Sequence, residues 1–192
     1  MKVILLTQNV AGISPLDVYQ SKPLIDWQLD RFESWGYEPI VVIDKKLSEL
    51  LLRGSQRIED FEIVYDTNEN PSLNSQLQAG LYLVNTYCVA LPVQVLAEDQ
   101  KIFHHIQRHY WNLGPLSQVD WVQIFTPVNG HMLPGYPVLI TPSGKRHIKS
   151  LDDFNGLQDP RIIMSPTPWL KKEILPMHSP SFPSPLESNA DI

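Results

Sequence analysis

The sequence predicts an α/β fold in which helices cover both faces of a mostly parallel sheet. Apolar runs typical of buried strands alternate with segments of helical periodicity through the first 112 residues. Several of these runs are continuous, as in parallel strands buried on both faces. The chain has 192 residues, 43% of them hydrophobic and 19% charged, which is sufficient for one core of ordinary size. Strands and helices that alternate at this spacing form right-handed βαβ units.

The predicted elements follow from these patterns in chain order. Strands are expected at residues 2–6, 39–43, 61–65 and 87–95, and two more at 119–126 and 137–141 with no helix between them. Pro23 and Gly36 bracket the first helix, since proline favours the first helical turn and glycine the position just after the end. Further helices are expected around Leu47, Leu50 and Leu51, then at 73–85 and 98–112, with a short one around 168–175.

The distribution of proline sets the expected domain organisation. Seven of the 17 prolines lie from Pro160 onward, and residues 176–192 are too rich in proline for regular structure. We therefore expect a single domain over residues 1–175, with residues 176–192 as a tail that is extended or packed on it.

Composition excludes several classes of function. The formal net charge is −6 and lysine and arginine do not cluster, which argues against nucleic-acid binding. No apolar run approaches the roughly 18 residues of a membrane helix. The first segment turns polar after Leu6, too early for a signal peptide, so a cytoplasmic protein is expected. The single cysteine, Cys88, excludes an internal disulfide, and its apolar surroundings predict a core position.

Ligands of parallel α/β sheets bind beyond the carboxyl ends of the strands. In this sequence that rule points to the polar segments 7–22, 66–74 and 93–98. Asp66, Asn68 and Asn70 in the second segment are typical of turns. His105 and His109 lie one helical turn apart, but without the other residues of a metal motif they predict an exposed helix face.

The amino-terminal segment resembles the nucleotidyltransferases that couple an NTP to a sugar phosphate or to molybdopterin. Sugar-phosphate members open with ILAGGxGTRLxPLTxxxPKPL, and this chain matches in register at Ile4, Leu5, Pro15, Leu16, Lys22, Pro23 and Leu24. Residues 91–93 (LPV) and 135–139 (GYPVL) resemble the LPVD and GHPVLF segments of the molybdopterin branch, and the final PLESNADI occupies the place of NINTPEDL. The resemblance implies a Rossmann-like three-layer nucleotide-diphospho-sugar transferase fold.

The resemblance also implies roles for individual residues. Lys22 takes the place of the phosphate-contacting lysine, with a solvated surface lysine as the alternative. Thr7, Gln8 and Asn9 replace the glycine-rich stretch that binds nucleotide phosphates, or form an ordinary polar loop. Gly12 stands where the family has its arginine, so that charge is missing.

The metal positions of the family are altered as well. Gln94 stands in place of the aspartate that holds Mg²⁺, and an amide is a poor sole anchor for that ion. Glu187 falls at the second ligand position, and Glu98 with Asp99 offers a replacement acid. An active protein would therefore need Mg²⁺ bound by Glu187 and Glu98, whereas an inactive one would need no cofactor.

Three functions follow from these observations. The first is transfer of NMP from an NTP to a molybdopterin or sugar phosphate, with weakened or lost activity. The second is a non-catalytic relative that binds a nucleotide, a sugar phosphate or a protein partner. A glycosyltransferase ranks last because the chain has no Asp-x-Asp motif. The sequence leaves open whether the protein is an enzyme and what its oligomeric state is.

Overall fold

A seven-stranded sheet forms the centre of the protein. The computed structural model describes residues 1–9, 12–97, 99–112, 121–128, 131–150 and 162–164. The strands are β1 (Lys2–Leu6), β4 (Glu38–Asp44), β5 (Glu62–Asp66), β6 (Cys88–Pro92), β7 (Trp121–Val128), β8 (His131–Ile140) and β9 (Ile162–Met164). Their order across the sheet is β5-β4-β1-β6-β8-β7-β9. A separate two-stranded hairpin contains β2 (Val18–Tyr19) and β3 (Lys22–Pro23).

The sheet is parallel except for β8. β1 pairs in parallel with β4 on one side and with β6 on the other, so that Ile4 lies opposite both Ile40 and Ala90. β8 runs antiparallel to both β6 and β7, and β9 is parallel to β7. The predicted mostly parallel α/β sheet is therefore confirmed.

Five helices accompany this sheet in the described part of the chain. They are α1 (Leu24–Ser34), α2 (Ser48–Gly54), α3 (Leu73–Leu81), α4 (Gln100–Asn112) and α5 (Pro142–Ser150). Short 3₁₀ turns cover Lys45–Leu47 and Ile58–Asp60. No helix among the described residues is long and apolar enough to span a membrane.

Alternate residues of β1 divide the core into two halves. Val3 and Leu5 belong to the cluster that includes the apolar residues of α1, α2 and α4. Ile4 and Leu6 belong to the opposite cluster, which includes Leu77 and Leu81 of α3. Side chains alternate between the faces of a strand, so both faces of β1 are buried and its sequence is continuously apolar. The result is the predicted arrangement of three layers.

Element bounds follow local chemistry where the sequence predicted them well. Pro23 precedes α1, and Gly36 follows it with a φ of +71° while its N–H donates to the Glu33 carbonyl. At α3, Ser72 and Ser75 form a capping box, which fixes the start of the helix. This helix ends at Leu81, four residues before the predicted end.

The structure also contains elements that the sequence patterns did not predict. The β2–β3 hairpin falls, apart from Pro23, within the polar segment 7–22, where no strand was predicted. β8 begins at His131, inside the stretch predicted to connect two strands, and α5 and β9 were not predicted at all. The predicted helix at 168–175, the tail at 176–192 and hence the domain boundary lie outside the described residues.

Candidate functional site

The strand order reverses between β1 and β6. From β1 the chain moves to β4 and β5 on one side, and it then crosses back to place β6 on the other side of β1. In open α/β sheets the crevice at the carboxyl ends of two such strands is the usual ligand position. Here the segments after β1 and after β6 meet, and they contain most of the residues predicted to bind a nucleotide.

Thr7 extends the sheet rather than facing the crevice. It is buried, and both its backbone N–H and its hydroxyl donate to the carbonyl oxygen of Val42, at 3.3 and 2.7 Å. The hydroxyl proton is thereby committed to the neighbouring strand. In this arrangement Thr7 anchors the start of the loop.

Gln8 is held by two other glutamines. Its backbone N–H donates to Oε1 of Gln76 at 3.1 Å, and its carbonyl accepts from Nε2 of Gln94 at 2.8 Å. Its own side chain donates to the Pro71 carbonyl at 3.0 Å. Every one of these bonds fixes the direction of the chain immediately after β1.

Gln76 belongs to the site although no sequence motif marks it. It lies in α3, is completely buried, and uses its Oε1 to accept the Gln8 N–H. The signal available in the sequence is a polar residue beside Leu77, on the helix face that also carries Gly80. Its Nε2 is buried without a hydrogen-bond partner among the described residues.

Gln94 connects the segment after β6 to the loop after β1. Its side-chain Nε2 donates to the carbonyls of Gln8 at 2.8 Å and Ile13 at 3.0 Å. Only the amino end of the side chain can face two carbonyl oxygens, because carbonyls accept and do not donate. The remaining Oε1 is buried and lacks a partner among the described residues.

Asn9 and Gly12 lie at the exposed part of the same loop. Gly12 has a φ of +78°, and a Cβ added to it would meet no atom within 4 Å. The glycine is therefore required by the backbone conformation and not by a close approach. The carbonyls of Gln8 and Ile13 face the side chain of Gln94, whereas a phosphate cradle would present N–H groups.

Lys22 lies at the start of β3 and faces helix α1. Its Nζ is 2.5 Å from Oδ2 of Asp30, whose Oδ1 is 2.6 Å from Nη1 of Arg57. Arg57 also pairs with Glu33 and Asp60, and Glu33 is the main reason that its pKa is raised. Lys22 is thus part of an ion-pair network beside the hairpin. Its predicted contact with phosphate stays a prediction.

A cavity of about 210 Å³ opens beside Gln94. Its wall is formed by Ile13, Asp17, Val18, Tyr19, Leu24, Gln94 and Leu96. Asp17 accepts the backbone N–H of Ser14 at 2.9 Å, and the ring of Tyr19 packs edge-on against Trp27. Among the predicted site residues that the structure describes, Gln94 alone lines this cavity, together with Asp17 and Tyr19.

The described residues around Gln94 do not fit a divalent metal ion. Mg²⁺ requires oxygen ligands, yet Gln94 directs its N–H₂ group at the two nearby carbonyls. No group of three or more His, Cys, Asp and Glu side chains in the described part of the chain could hold a metal. The predicted metal ligands Glu98 and Glu187 lie outside the described residues.

The other residues singled out from the sequence lie away from this crevice. Burial raises the pKa of the Cys88 thiol to about 12, as expected for a core cysteine. His105 and His109 are half-buried, contrary to the predicted exposed face, and burial lowers the pKa of each. Asp66 accepts bonds from the backbone and side chain of Asn68, the predicted turn chemistry.

The fold is similar to those of several proteins of known structure. Rv0371c from Mycobacterium tuberculosis superposes with a TM-score of 0.59 and 13% identity over 85% of this chain and 87% of that chain. A second structure of that protein is a complex with manganese. The bifunctional IspDF from Campylobacter jejuni gives a TM-score of 0.61 and 10% identity over 92% of this chain and 53% of that chain.

A third similar structure is the 4-diphosphocytidyl-2C-methyl-D-erythritol synthase from Anaerococcus prevotii, with a TM-score of 0.59 and 10% identity over 85% of this chain and 86% of that chain. No protein-family model matches this sequence, and no curated protein matches it. Identities this low establish the fold alone. The chain therefore has the three-layer, nucleotidyltransferase-like fold of these proteins.

Proposed function

We propose that this protein binds a nucleotide or sugar-phosphate ligand at the crevice between β1 and β6, and that its capacity for nucleotidyl transfer is weakened or lost. The observation that carries the proposal is the pair of hydrogen bonds from Gln94 to the Gln8 and Ile13 carbonyls. They occupy the position where the family to which the sequence is similar has a metal-binding carboxylate. The similarity of fold supports a ligand at this edge of the sheet.

Loss of transfer follows from the chemistry of the reaction. Nucleotidyl transfer builds negative charge around a phosphorus atom, and positioned cations or metals stabilise that charge. Where the family that the sequence resembles has its arginine, this chain has Gly12, which is uncharged. Where that family has its metal-binding aspartate, this chain has Gln94, whose amino group is already hydrogen-bonded. Each missing group would contribute several kcal/mol to transition-state stabilisation, so activity by this route should be very low.

We further propose that Lys22 contacts a phosphate of this ligand. Its charge is matched by Asp30, which also pairs with Arg57. A phosphate would compete with Asp30 for Lys22, while Arg57 would keep Asp30 neutralised. The proposed ligands are thus an NTP or a phosphorylated small molecule, of the sugar-phosphate or molybdopterin class.

Thermal unfolding with nucleotides tests this function directly. We expect at least one of ATP, GTP, CTP and UTP, or a sugar 1-phosphate, to raise the midpoint both with Mg²⁺ and with EDTA, because a ligand that binds the folded state stabilises it. Pyrophosphate release with an NTP and a sugar phosphate should stay at background. Absence of any shift would refute ligand binding.

Metal-dependent pyrophosphate release would instead establish an active transferase. In that case Glu187→Gln should abolish the metal dependence, since Glu187 is the predicted second ligand. Lys22→Met separates phosphate contact from a structural role, with Lys45→Met as the matched exposed control. We expect Lys22→Met to weaken NTP binding by about tenfold, the usual effect of losing one charge-assisted hydrogen bond.

A further inference from the structure

A groove of about 380 Å³ lies between the edge strand β5 and helix α3, away from the β1–β6 crevice. β5 pairs with β4 on one side, and no described strand pairs with its other side. One wall of the groove is formed by residues in the range 64–68. The opposite wall includes Ser75 and Ala79 of α3, followed by Tyr82 and Leu83. We call this feature the β5–α3 groove.

The β5–α3 groove reaches the backbone of the strand. Ile63 and Val64 pack against opposite halves of the core, because neighbouring residues of a strand point to opposite faces of the sheet. Val64 and Tyr65 nevertheless both line the groove. A groove on one face would be lined by every second residue, so this one includes the free edge of β5. The N–H and C=O groups at that edge can bind a further strand.

Exposed apolar surface is concentrated in the same groove. Tyr65 is 45% exposed, Tyr82 69% and Leu83 38%. They are three of the six large hydrophobic residues that are exposed in the described part of the chain. Residues 64–68 span about 13 Å when extended, which is enough for roughly four residues of an added strand. Apolar walls beside a strand edge suit the alternate side chains of such a strand.

The charge of the surrounding segment identifies the kind of strand that fits. Residues 58–83, which contain β5 and α3, include five acidic residues and no lysine or arginine. Two of the five pair with cations from elsewhere, Asp60 with Arg57 and Glu62 with Lys2. The other three form no ion pair with a described residue: Glu59, Asp66 and Glu69. The segment is therefore negatively charged, and it attracts a strand that carries lysine or arginine.

A second copy of β5 fits this edge less well than a basic strand. Antiparallel pairing of two β5 strands about Val64 would place Glu62 of each opposite Asp66 of the other. Like charges directly opposite one another destabilise a strand pair. β5 also carries neither the lysine, the proline nor the bulge that commonly protect an edge strand from other partners.

We propose that the β5–α3 groove is a docking site for an extended basic segment of a partner protein, which adds to the sheet beside β5. Main-chain hydrogen bonds join the segment to the strand edge, and Tyr65, Tyr82 and Leu83 contact its apolar side chains. Its lysine or arginine residues face the acidic segment 58–69. The inference goes beyond the proposed function and does not depend on it, since the groove and the cavity beside Gln94 share no lining residue.

Selection of random nine-residue peptides from a display library, with the full-length protein as bait, tests this site. We expect the enriched peptides to alternate β-branched or aromatic residues with lysine or arginine. The strongest peptide is then synthesised with capped ends and titrated by fluorescence anisotropy. Its affinity should fall as the salt concentration rises, because salt screens attraction between exposed charges. Hydrogen exchange in residues 62–68 should become slower when this peptide is bound.

Tyr82→Lys is the informative variant, because it removes part of the apolar wall and adds a charge that repels a basic peptide. Leu50→Lys, at a position that is 60% exposed on α2, is the matched control. We expect Tyr82→Lys to weaken peptide binding by about tenfold or more, and Leu50→Lys to match the unmodified protein. A peptide with glutamine in place of its basic residues should bind the unmodified protein about tenfold more weakly and lose the salt dependence.

Three results would overturn the inference: no peptide is enriched, Tyr82→Lys binds the peptide as well as Leu50→Lys does, or exchange slows only outside residues 62–68 and 75–83. A concentration-dependent dimer that Tyr82→Lys abolishes would assign the groove to a second copy instead. Thermal shifts with NTPs should be the same in both variants. Loss of peptide binding with NTP binding retained therefore refutes this inference alone, and the reverse result refutes only the proposed function.

Discussion

At Gln94 an amide and a carboxylate would have almost the same shape but opposite hydrogen-bonding capacity. The amide donates two bonds to the Gln8 and Ile13 carbonyls, and a carboxylate in its place has no proton to donate. Oxygen would then face oxygen at two contacts. The direction of the loop after β1 therefore depends on the identity of one side chain.

Gln94→Glu should destabilise the protein by about 3 kcal/mol at pH 7, because it buries a charge against two carbonyl oxygens. Urea unfolding measures the free energy of unfolding, and Gln56→Glu, at an exposed position, serves as the matched control. A difference below about 0.5 kcal/mol between the two variants would show that the Gln94 bonds do not hold the loop.

At the scale of elements, the lack of a side chain at Gly80 lets α3 pack directly against two strands of the sheet. A Cβ on this residue would be 2.7 Å from Cγ2 of Ile4 and 2.9 Å from Cγ2 of Val42. Both neighbours are β-branched residues in buried strands, so neither side chain has freedom to move away. The close approach also brings Gln76, on the same helix, to the N–H of Gln8.

Gly80→Ala should lower the free energy of unfolding by about 1–3 kcal/mol, because the overlap outweighs the roughly 1 kcal/mol that alanine gains in a helix. Gly54→Ala is the comparison, since the atoms nearest to the added Cβ are the two terminal methyl groups of Leu16, at 2.6 and 2.8 Å, and the end of a leucine side chain can rotate away. Chemical denaturation of both variants distinguishes them. If Gly80→Ala were as stable as the parent protein, α3 could shift away from the sheet without a loss of stability.

Helix α4 should make stability depend on pH. Burial lowers the pKa of His105 and of His109 from the ordinary 6.5, and repulsion from His109 and Arg108 adds to the effect on His105. The unfolded chain therefore binds protons first as the pH falls below about 6.5, and the folded state loses stability until its own histidines titrate. Above that pH the folded and unfolded states bind the same number of protons at these histidines, so stability no longer depends on pH through them.

Unfolding free energies measured between pH 5 and pH 8 test this dependence. We expect His105→Gln and His109→Gln each to reduce the loss of stability on acidification relative to the parent protein. Asn112→Gln, at an exposed position on α4 that carries no titratable group, is the control and should keep the parent slope. Identical slopes in all three variants would assign the acid sensitivity to other groups.

At the scale of the whole molecule, the strand order decides which polar segments meet. Of the three segments expected to bind ligands, 7–22 and 93–98 come together at the β1–β6 crevice. The segment 66–74 follows the edge strand β5 instead, beside a separate cavity of about 380 Å³ that includes Asp66, Asn68 and Ser75. Asp66 there is occupied by bonds to Asn68 and Ser75.

Hydrogen exchange in the presence of a bound nucleotide distinguishes the two places. We expect slower exchange in residues 12–19 and 93–97, and no change in residues 66–68 and 75–83. The cavity beside β5 provides the internal control in the same experiment. Protection confined to the β5 side would move the ligand to that edge of the sheet and contradict the proposed crevice.

Local chemistry explains which elements were predictable. β1 and β4 follow from continuous apolar runs, and the bounds of α1 follow from Pro23 and Gly36. Both residues of the β2–β3 turn, Gln20 and Ser21, have a positive φ. Turns of this kind usually contain Asn-Gly, so Gln-Ser gave no hairpin signal in the sequence. α5 begins with Pro142 after Thr141, whose hydroxyl accepts the Gly144 N–H, but proline and glycine together indicate a turn.

By itself the sequence determined the class of fold. Strands that are buried on both faces must be continuously apolar, and such runs are directly visible in the sequence. It also located the segments at the carboxyl ends of the strands and marked Gln94 and Gly12 as departures from the pattern it resembles. The tertiary structure alone decided how these residues are used. Gln76, Gln8 and Gln94 are far apart in the chain, and only the packing of α3, β1 and β6 joins their hydrogen bonds. The same packing places Asp17 and Tyr19 beside Gln94. The sequence could not predict this arrangement, because side-chain contacts between distant segments leave no periodic pattern in it.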